Sequence, residues 1–136
     1  MASQRPAARP LSPHLSIWRW GPHMTVSILH RVTGSGMATV GTLLLVWWLA
    51  AIAGGPQSYA VFHMVFAEFG KGVLGYIFGV GLTLSFFQHM ASGIRHFILD
   101  TGAGYELNSA KRAAMATFIF SVLATIAFWA FLLGAK

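Results

Sequence analysis

Apolar residues fill this chain in three long blocks, each closed by a polar or helix-breaking stretch. The first is uncharged from Val32 onward and strongly apolar over residues 37–53, then stops at Gly54-Gly55-Pro56, a cluster that ends a helix. The second is uncharged from Gly72 to Ile94 and the third from Ala113 to Ala135. Each block reaches roughly the 20 residues that a helix needs to cross a bilayer. Lipid offers a single segment no other way to satisfy its backbone N–H and C=O groups. The pattern therefore predicts an all-α integral membrane fold with three transmembrane helices, near residues 27–53, 70–97 and 111–134. Residues 1–26 form a preceding polar segment, and residues 27–136 form the membrane anchor domain. Gly72, Gly75 and Gly79 are small residues of the kind that lets membrane helices approach closely.

Composition agrees with that reading. Of 136 residues, 56% are hydrophobic and only 9% charged, against about 25% charged in soluble domains. A formal charge of +6 raises nucleic acid as a partner, but nucleic-acid binders gather their charge on one face or element. Here the basic residues stand at the ends of the apolar blocks, which excludes nucleic acid and sets orientation instead. Arg5, Arg9, Arg19, Arg31, Arg95, Lys111 and Arg112 fall on the side of the N-terminus, against Lys71 and Lys136 on the other. That asymmetry places the N-terminus inside: in the cytoplasm of a bacterium, or in the matrix if the membrane is the mitochondrial inner one. Trp47, Trp48 and Trp129 fall near the opposite interface, where an aromatic belt is expected. The chain has no cysteine, so no iron–sulfur cluster and no covalently attached haem belongs to it. The start carries arginines but no apolar core, so no cleavable secretory signal is expected, and a transit peptide is the minor reading.

The chemistry sits at the N-terminal-side ends of the first two spans. The second reads His89-Met90-Ala91-Ser92-Gly93-Ile94-Arg95-His96. At 100° per residue, Gly93 lies about 40° and His96 about 20° around the helix from His89, so the three form one stripe with Ser85 and Ser92 beside it. His89 lies roughly 10 Å deeper than His96. An imidazole at that depth must pair, stay neutral or bind something, and a neutral imidazole is a good axial ligand for haem iron. Gly93 then leaves room for a flat porphyrin, while Arg95 lies about 120° off the stripe. A histidine serving only a polar contact between packed helices remains the alternative.

On the first span Ser27, His30, Arg31 and Gly34 share one face by i, i+3, i+4, i+7 spacing. A hydroxyl, an imidazole and a guanidinium can donate hydrogen bonds to a carbonyl and attract acid groups. Snorkelling by Arg31 and capping by Ser27 is the plainer account of that helix alone. Two such clusters at matching depth favour a ligand site between the helices. His14, His23 and His63 read as surface residues, and Asp100 as a partner for Arg31 or Arg95 or as a solvated acid.

Three segments together are specific: Arg9-Pro10-Leu11-Ser12-Pro13-His14-Leu15-Ser16-Ile17, Ser27-Ile28-Leu29-His30-Arg31-Val32-Thr33-Gly34, and His89-x3-Gly93-Ile94-Arg95-His96-x3-Asp100. The chain resembles, over nearly its whole length, the cytochrome b subunits of succinate dehydrogenase (complex II), in their alphaproteobacterial and mitochondrial form. Trp18, where a tyrosine is expected, is a small departure. The resemblance implies half of a heterodimeric helical bundle that binds haem b, shared with a second hydrophobic anchor subunit. It implies His89 as an axial iron ligand, His30 and Arg31 near the haem propionates, and Ser27 and Arg31 as the ubiquinone-binding pair. Arg95, His96, Gly93 and Asp100 would support that environment. A flavoprotein subunit carrying FAD would oxidise succinate, and an iron–sulfur subunit would pass its electrons to the anchor. Ubiquinone is then the substrate of this site, at the junction of the tricarboxylic acid cycle and the respiratory chain, and the chain alone has no activity.

Three rival classes remain in view. A haem-free fumarate reductase anchor keeps a quinone site but gives no reason for His89. A transporter calls for more helices or charged residues near the midplane. A structural scaffold has no need for Ser27, Arg31 and His89 to converge.

Overall fold

The computed structural model describes Ser12, His14 and residues 17–135. Arg5, Arg9, most of the N-terminal motif and Lys136 lie outside the described residues. The architecture is all-helical, with no strand among the described residues. Three helical stretches, Pro22–Ala53, Pro56–Asp100 and Leu107–Gly134, are long and apolar enough to cross a membrane. The chain is a multi-pass membrane protein.

Helix α1 (Pro22–Ala53) starts ahead of the expected residue 27. Gly21 is extended (φ −125°, ψ 159°) and Pro22 stands in the first turn, where its missing N–H costs no hydrogen bond. Midway, residues Met37–Gly41 widen into a π turn. After Gly55, whose φ of 84° reverses the chain, a short helix α2 (Pro56–His63) and a second π turn, Met64–Glu68, occupy what the sequence pattern treats as a plain connection. An aromatic cluster ties this segment to the spanning helices. Phe62 and Phe66 each lie 5.3 Å from Trp47, and Phe66 lies 6.0 Å from Phe78. Gly70, Lys71 and Gly72 then take left-handed conformations, and α3 (Val73–Asp100) begins. A tight turn with positive φ at Gly102 and Gly104 leads into α4 (Leu107–Gly134).

The bundle of α1, α3 and α4 inverts the polarity of a soluble core. Along α4 the buried residues are Ala110, Ala114, Thr117, Ser121 and Thr125, one face of small and hydroxyl side chains. Those of α3 are Gln88, Ser92 and Arg95. The large apolar groups Ile119, Leu123, Ile126 and Phe131 point outward, as lipid as the solvent requires. Of the three glycines expected to bring helices together, only Gly79 meets another span. A β-carbon there would stand 2.9 Å from Trp129 Cζ2. Gly75 instead faces the Phe66 carbonyl, and Gly72 carries the left-handed turn. Trp129 therefore packs inward over Gly79, unlike the exposed Trp47 and Trp48.

Candidate functional site

Where α1 crosses α3, on the half of the bundle nearer the N-terminus, two imidazoles stack. The rings of His30 and His89 lie 3.9 Å apart and 11° from parallel. His96 completes the group, edge-on to His30 at 4.9 Å. The crossing is close because α1 has no side chain at its contact point. A β-carbon on Gly34 would stand 2.7 Å from His89 Cε1 and 3.2 Å from its Nδ1. Gly93, the glycine on the histidine stripe, faces His30 at an ordinary 3.7 Å.

Hydrogen bonds fix both tautomers. His89 Nδ1 lies 3.0 Å from the backbone oxygen of His30. A carbonyl only accepts, so Nδ1 carries the proton and Nε2 keeps its lone pair. The Thr33 hydroxyl, at 3.4 Å from the same nitrogen, is already donated to the Leu29 carbonyl at 2.7 Å. His30 Nδ1 lies 2.7 Å from Ser92 Oγ. The Ser92 hydroxyl donates to the Gln88 carbonyl at 2.7 Å, so it accepts from His30 and leaves that ring, too, a bare Nε2.

Behind α3 a polar seam holds the helix against α4. Ser121 donates to Gln88 Oε1 at 2.8 Å, and Gln88 Nε2 donates to Thr117 Oγ1 at 3.4 Å. Gln88 is buried, and so are both partners. A buried amide in hydrocarbon is tolerated only when paired in this way.

A second feature opens beside the imidazoles at the N-terminal end of the bundle. A cleft of about 520 Å³ is lined by Ser27, Arg31, Arg95, His23, Trp20 and Tyr105, among others. Arg95 is 8% exposed, and its Nε has no hydrogen-bond partner. The Ser27 hydroxyl makes only a long bond of 3.4 Å, to the His23 carbonyl. The cleft thus offers two guanidinium groups, a hydroxyl and a phenol, and no carboxylate lines it. Such a set binds a group that carries or develops negative charge on oxygen.

The expected single face of α1 therefore divides. His30 and Gly34 meet α3, whereas Ser27 and Arg31 line the cleft. His89, His96 and Gly93 gather around His30, and Arg95 leaves that group for the cleft, as its angular offset implies. Asp100 is exposed and makes no ion pair with Arg31 or Arg95 among the described residues. His63 lies on the far side, exposed and 3.0 Å from Glu68. The sequence reading gave no role to Gly34, Ser92, Gln88 or Tyr105. Gln88 adjoins His89, and Thr117 and Ser121 stand a turn apart on α4, the signal that points to that seam, whereas Gly34, already on the shared face of α1, gains its role only from the crossing of α1 with α3.

The family of succinate dehydrogenase/fumarate reductase transmembrane subunits matches residues 5–128. The chain is 32% identical over 135 residues to the succinate dehydrogenase cytochrome b556 subunit of Paracoccus denitrificans, covering 96% of this chain and 100% of that one. It is 30% identical over 121 residues to the cytochrome b556 subunit of Rickettsia felis, covering 89% and 90%. To the mitochondrial cytochrome b560 subunit of Mus musculus it is 32% identical over 118 residues, covering 86% and 68%.

Proposed function

Since the chain belongs to the succinate dehydrogenase/fumarate reductase transmembrane subunit family, and is a membrane-anchoring cytochrome b subunit of a succinate dehydrogenase, we propose that it binds haem b through His89 and helps form a ubiquinone-reduction site. The subunit is a component of an oxidoreductase complex and not a catalyst by itself. In this reading the N-terminus and the α3–α4 turn face the cytoplasm of a bacterial inner membrane, where the positive charge gathers. Residues 1–26 form the inner segment and residues 27–136 the anchor domain. An iron–sulfur subunit and a flavoprotein, carrying the clusters and FAD, dock on that side, and a second hydrophobic subunit completes the bundle.

One observation carries the haem assignment. His89 donates its Nδ1 proton to the His30 carbonyl, which orients the ring and leaves Nε2 as a ligand. Gly34 clears the space in which that ring lies. The ring of His30 stacks flat on that of His89 at 3.9 Å, so the two imidazoles would not hold one haem iron between them. By the family resemblance, the second ligand would be supplied by the partner anchor subunit. Bound there, the haem supplies a one-electron carrier. His30 stacks on the His89 imidazole, His96 stands edge-on to His30, and Arg31, one residue from His30, would supply positive charge for the propionates.

The cleft supports the quinone assignment. Reduction of a quinone takes two electrons and two protons, and its carbonyl oxygens need donors as negative charge develops. Ser27 and Arg31 provide them on adjacent turns of α1, and Arg95 adds a buried guanidinium across from them. The opening lies at the inner end of the bundle, where water delivers protons.

The experiment is the reduced-minus-oxidised optical spectrum of the assembled complex. A low-spin b-type band that His89→Leu abolishes and His63→Leu leaves intact is expected. An unchanged band in His89→Leu overturns the ligand assignment, and no band in the native complex favours the haem-free anchor.

A further inference from the structure

Ser92 is 1% exposed, in the middle of the α1–α3 contact, and its one hydroxyl has three neighbours. It donates to the Gln88 carbonyl at 2.7 Å, with the His89 carbonyl at 3.1 Å, and it accepts from His30 Nδ1 at 2.7 Å. A serine on a membrane helix commonly returns its proton to its own backbone and does nothing more. Here the oxygen also accepts, through one of its lone pairs, from a side chain on another helix. The serine proton goes to the backbone carbonyl of Gln88, and the side-chain amide of the same residue is clamped to Ser121 and Thr117 of α4. The three helices are thus linked in order: α4 holds Gln88, α3 holds Ser92, and Ser92 holds a ring on α1.

We propose that Ser92 is a positioning residue for the imidazole pair: it fixes the ring angle and tautomer of His30, and through the stacked ring the orientation of His89. The inference rests on the haem reading above. Two independent constraints meet on His89. Its Nδ1 is tied to the backbone of His30, and its face is covered by the ring of His30 at 3.9 Å. The first survives any rotation of the His30 side chain; the second does not. Without the Ser92 acceptor, His30 Nδ1–H is left without a partner in a low-dielectric site, and the ring turns to find one. His89 then loses the flat surface that limits its own rotation. Outer-shell partners that orient a ligating imidazole tune the metal it holds, so the effect would read out at the iron although Ser92 does not touch it.

The test uses the complete complex with Ser92→Ala, His30→Ala, the double variant and His89→Leu. Low-temperature EPR and a redox titration report the g-values and midpoint potential of the haem. Ser92→Ala is expected to keep its haem and to shift both quantities, a change that a serine needed only for packing would not produce. In the His30→Ala background the same substitution is expected to add no further shift, because Ser92 acts through that ring. Unshifted signals in Ser92→Ala, or full additivity in the double variant, overturn the positioning role while leaving the haem reading in place. Retention of the native low-spin signal in His89→Leu overturns the haem reading and this inference with it.

Discussion

The ring of His89 rests against the α-carbon of Gly34, so closely that a β-carbon there would stand 2.7 Å from Cε1. The close contact is between α3's imidazole and α1's backbone, and the same α1 turn supplies the carbonyl that holds Nδ1. The two helices therefore position the ring jointly. Neither alone presents Nε2 at a fixed angle.

Gly34→Ala should consequently disturb the haem more than Gly93→Ala. The Gly34 methyl meets a ring that is held by a hydrogen bond, whereas one at Gly93 makes an ordinary 3.7 Å contact with His30. Overpacking at such a contact typically costs about 1–3 kcal/mol. Haem content and EPR line shape of the purified complexes decide it. A normal spectrum in Gly34→Ala would show that the ring moves away from α1 when the cofactor binds.

The seam between α3 and α4 makes a separate prediction about assembly. Ser121→Ala removes the donor to Gln88 Oε1 and leaves a buried amide oxygen without a partner. Interhelical hydrogen bonds in membranes contribute about 1 kcal/mol each, so the variant complex should unfold at a modestly lower temperature in detergent. Ile119→Ala, on the exposed face of the same helix, should change this less. Equal losses in the two variants would mean that packing, and not the amide pair, sets stability.

Topology is testable because the chain contains no cysteine. Cysteines placed at Gln57 and Ala103, both exposed, should react with a membrane-impermeant thiol reagent from opposite sides. Residue 103 should label from the cytoplasmic side. Labelling of both from one side contradicts three spans, and labelling of residue 103 from outside reverses the orientation.

What could be read from the sequence follows from contrast. Histidines and arginines stand out against uncharged blocks, so the depth of His89, the stripe with His96 and the departure of Arg95 from it need only helical geometry. The spans were visible for the same reason. The contact between His89 and Gly34 was hidden, because it depends on how α1 crosses α3, which no single-helix projection contains. Helix α2 was hidden too: eight residues, Pro56–His63, are too few for periodicity to declare, and Phe62 and Phe66 gain their meaning only beside Trp47. Lys71, at φ 60° between two glycines, gives no sequence sign that it shares their left-handed turn.

The cleft leads to the last prediction, which separates quinone chemistry from haem ligation. Ser27, Arg31 and Arg95 line one opening, but they do not stand in equal relation to the imidazoles. Arg31 is adjacent in sequence to His30, Ser27 lies one turn away, and Arg95 lies about 120° around α3 from His89. Losing one donor to a developing oxyanion costs about 3 kcal/mol in a dry site, roughly two orders of magnitude in rate, and less where water substitutes. Arg95 is the most buried of the three, so water replaces it least readily. We therefore expect Arg95→Met to impair succinate-to-quinone electron transfer at least as much as Ser27→Ala, with the haem spectrum nearly native in both. Arg31→Leu should impair the same activity and also perturb the haem. Reduction of an artificial acceptor that takes electrons at the flavin should be spared in all three. Normal quinone kinetics in an assembled Arg95→Met complex would show that its guanidinium serves only helix packing. Normal kinetics in all three variants would place the quinone elsewhere.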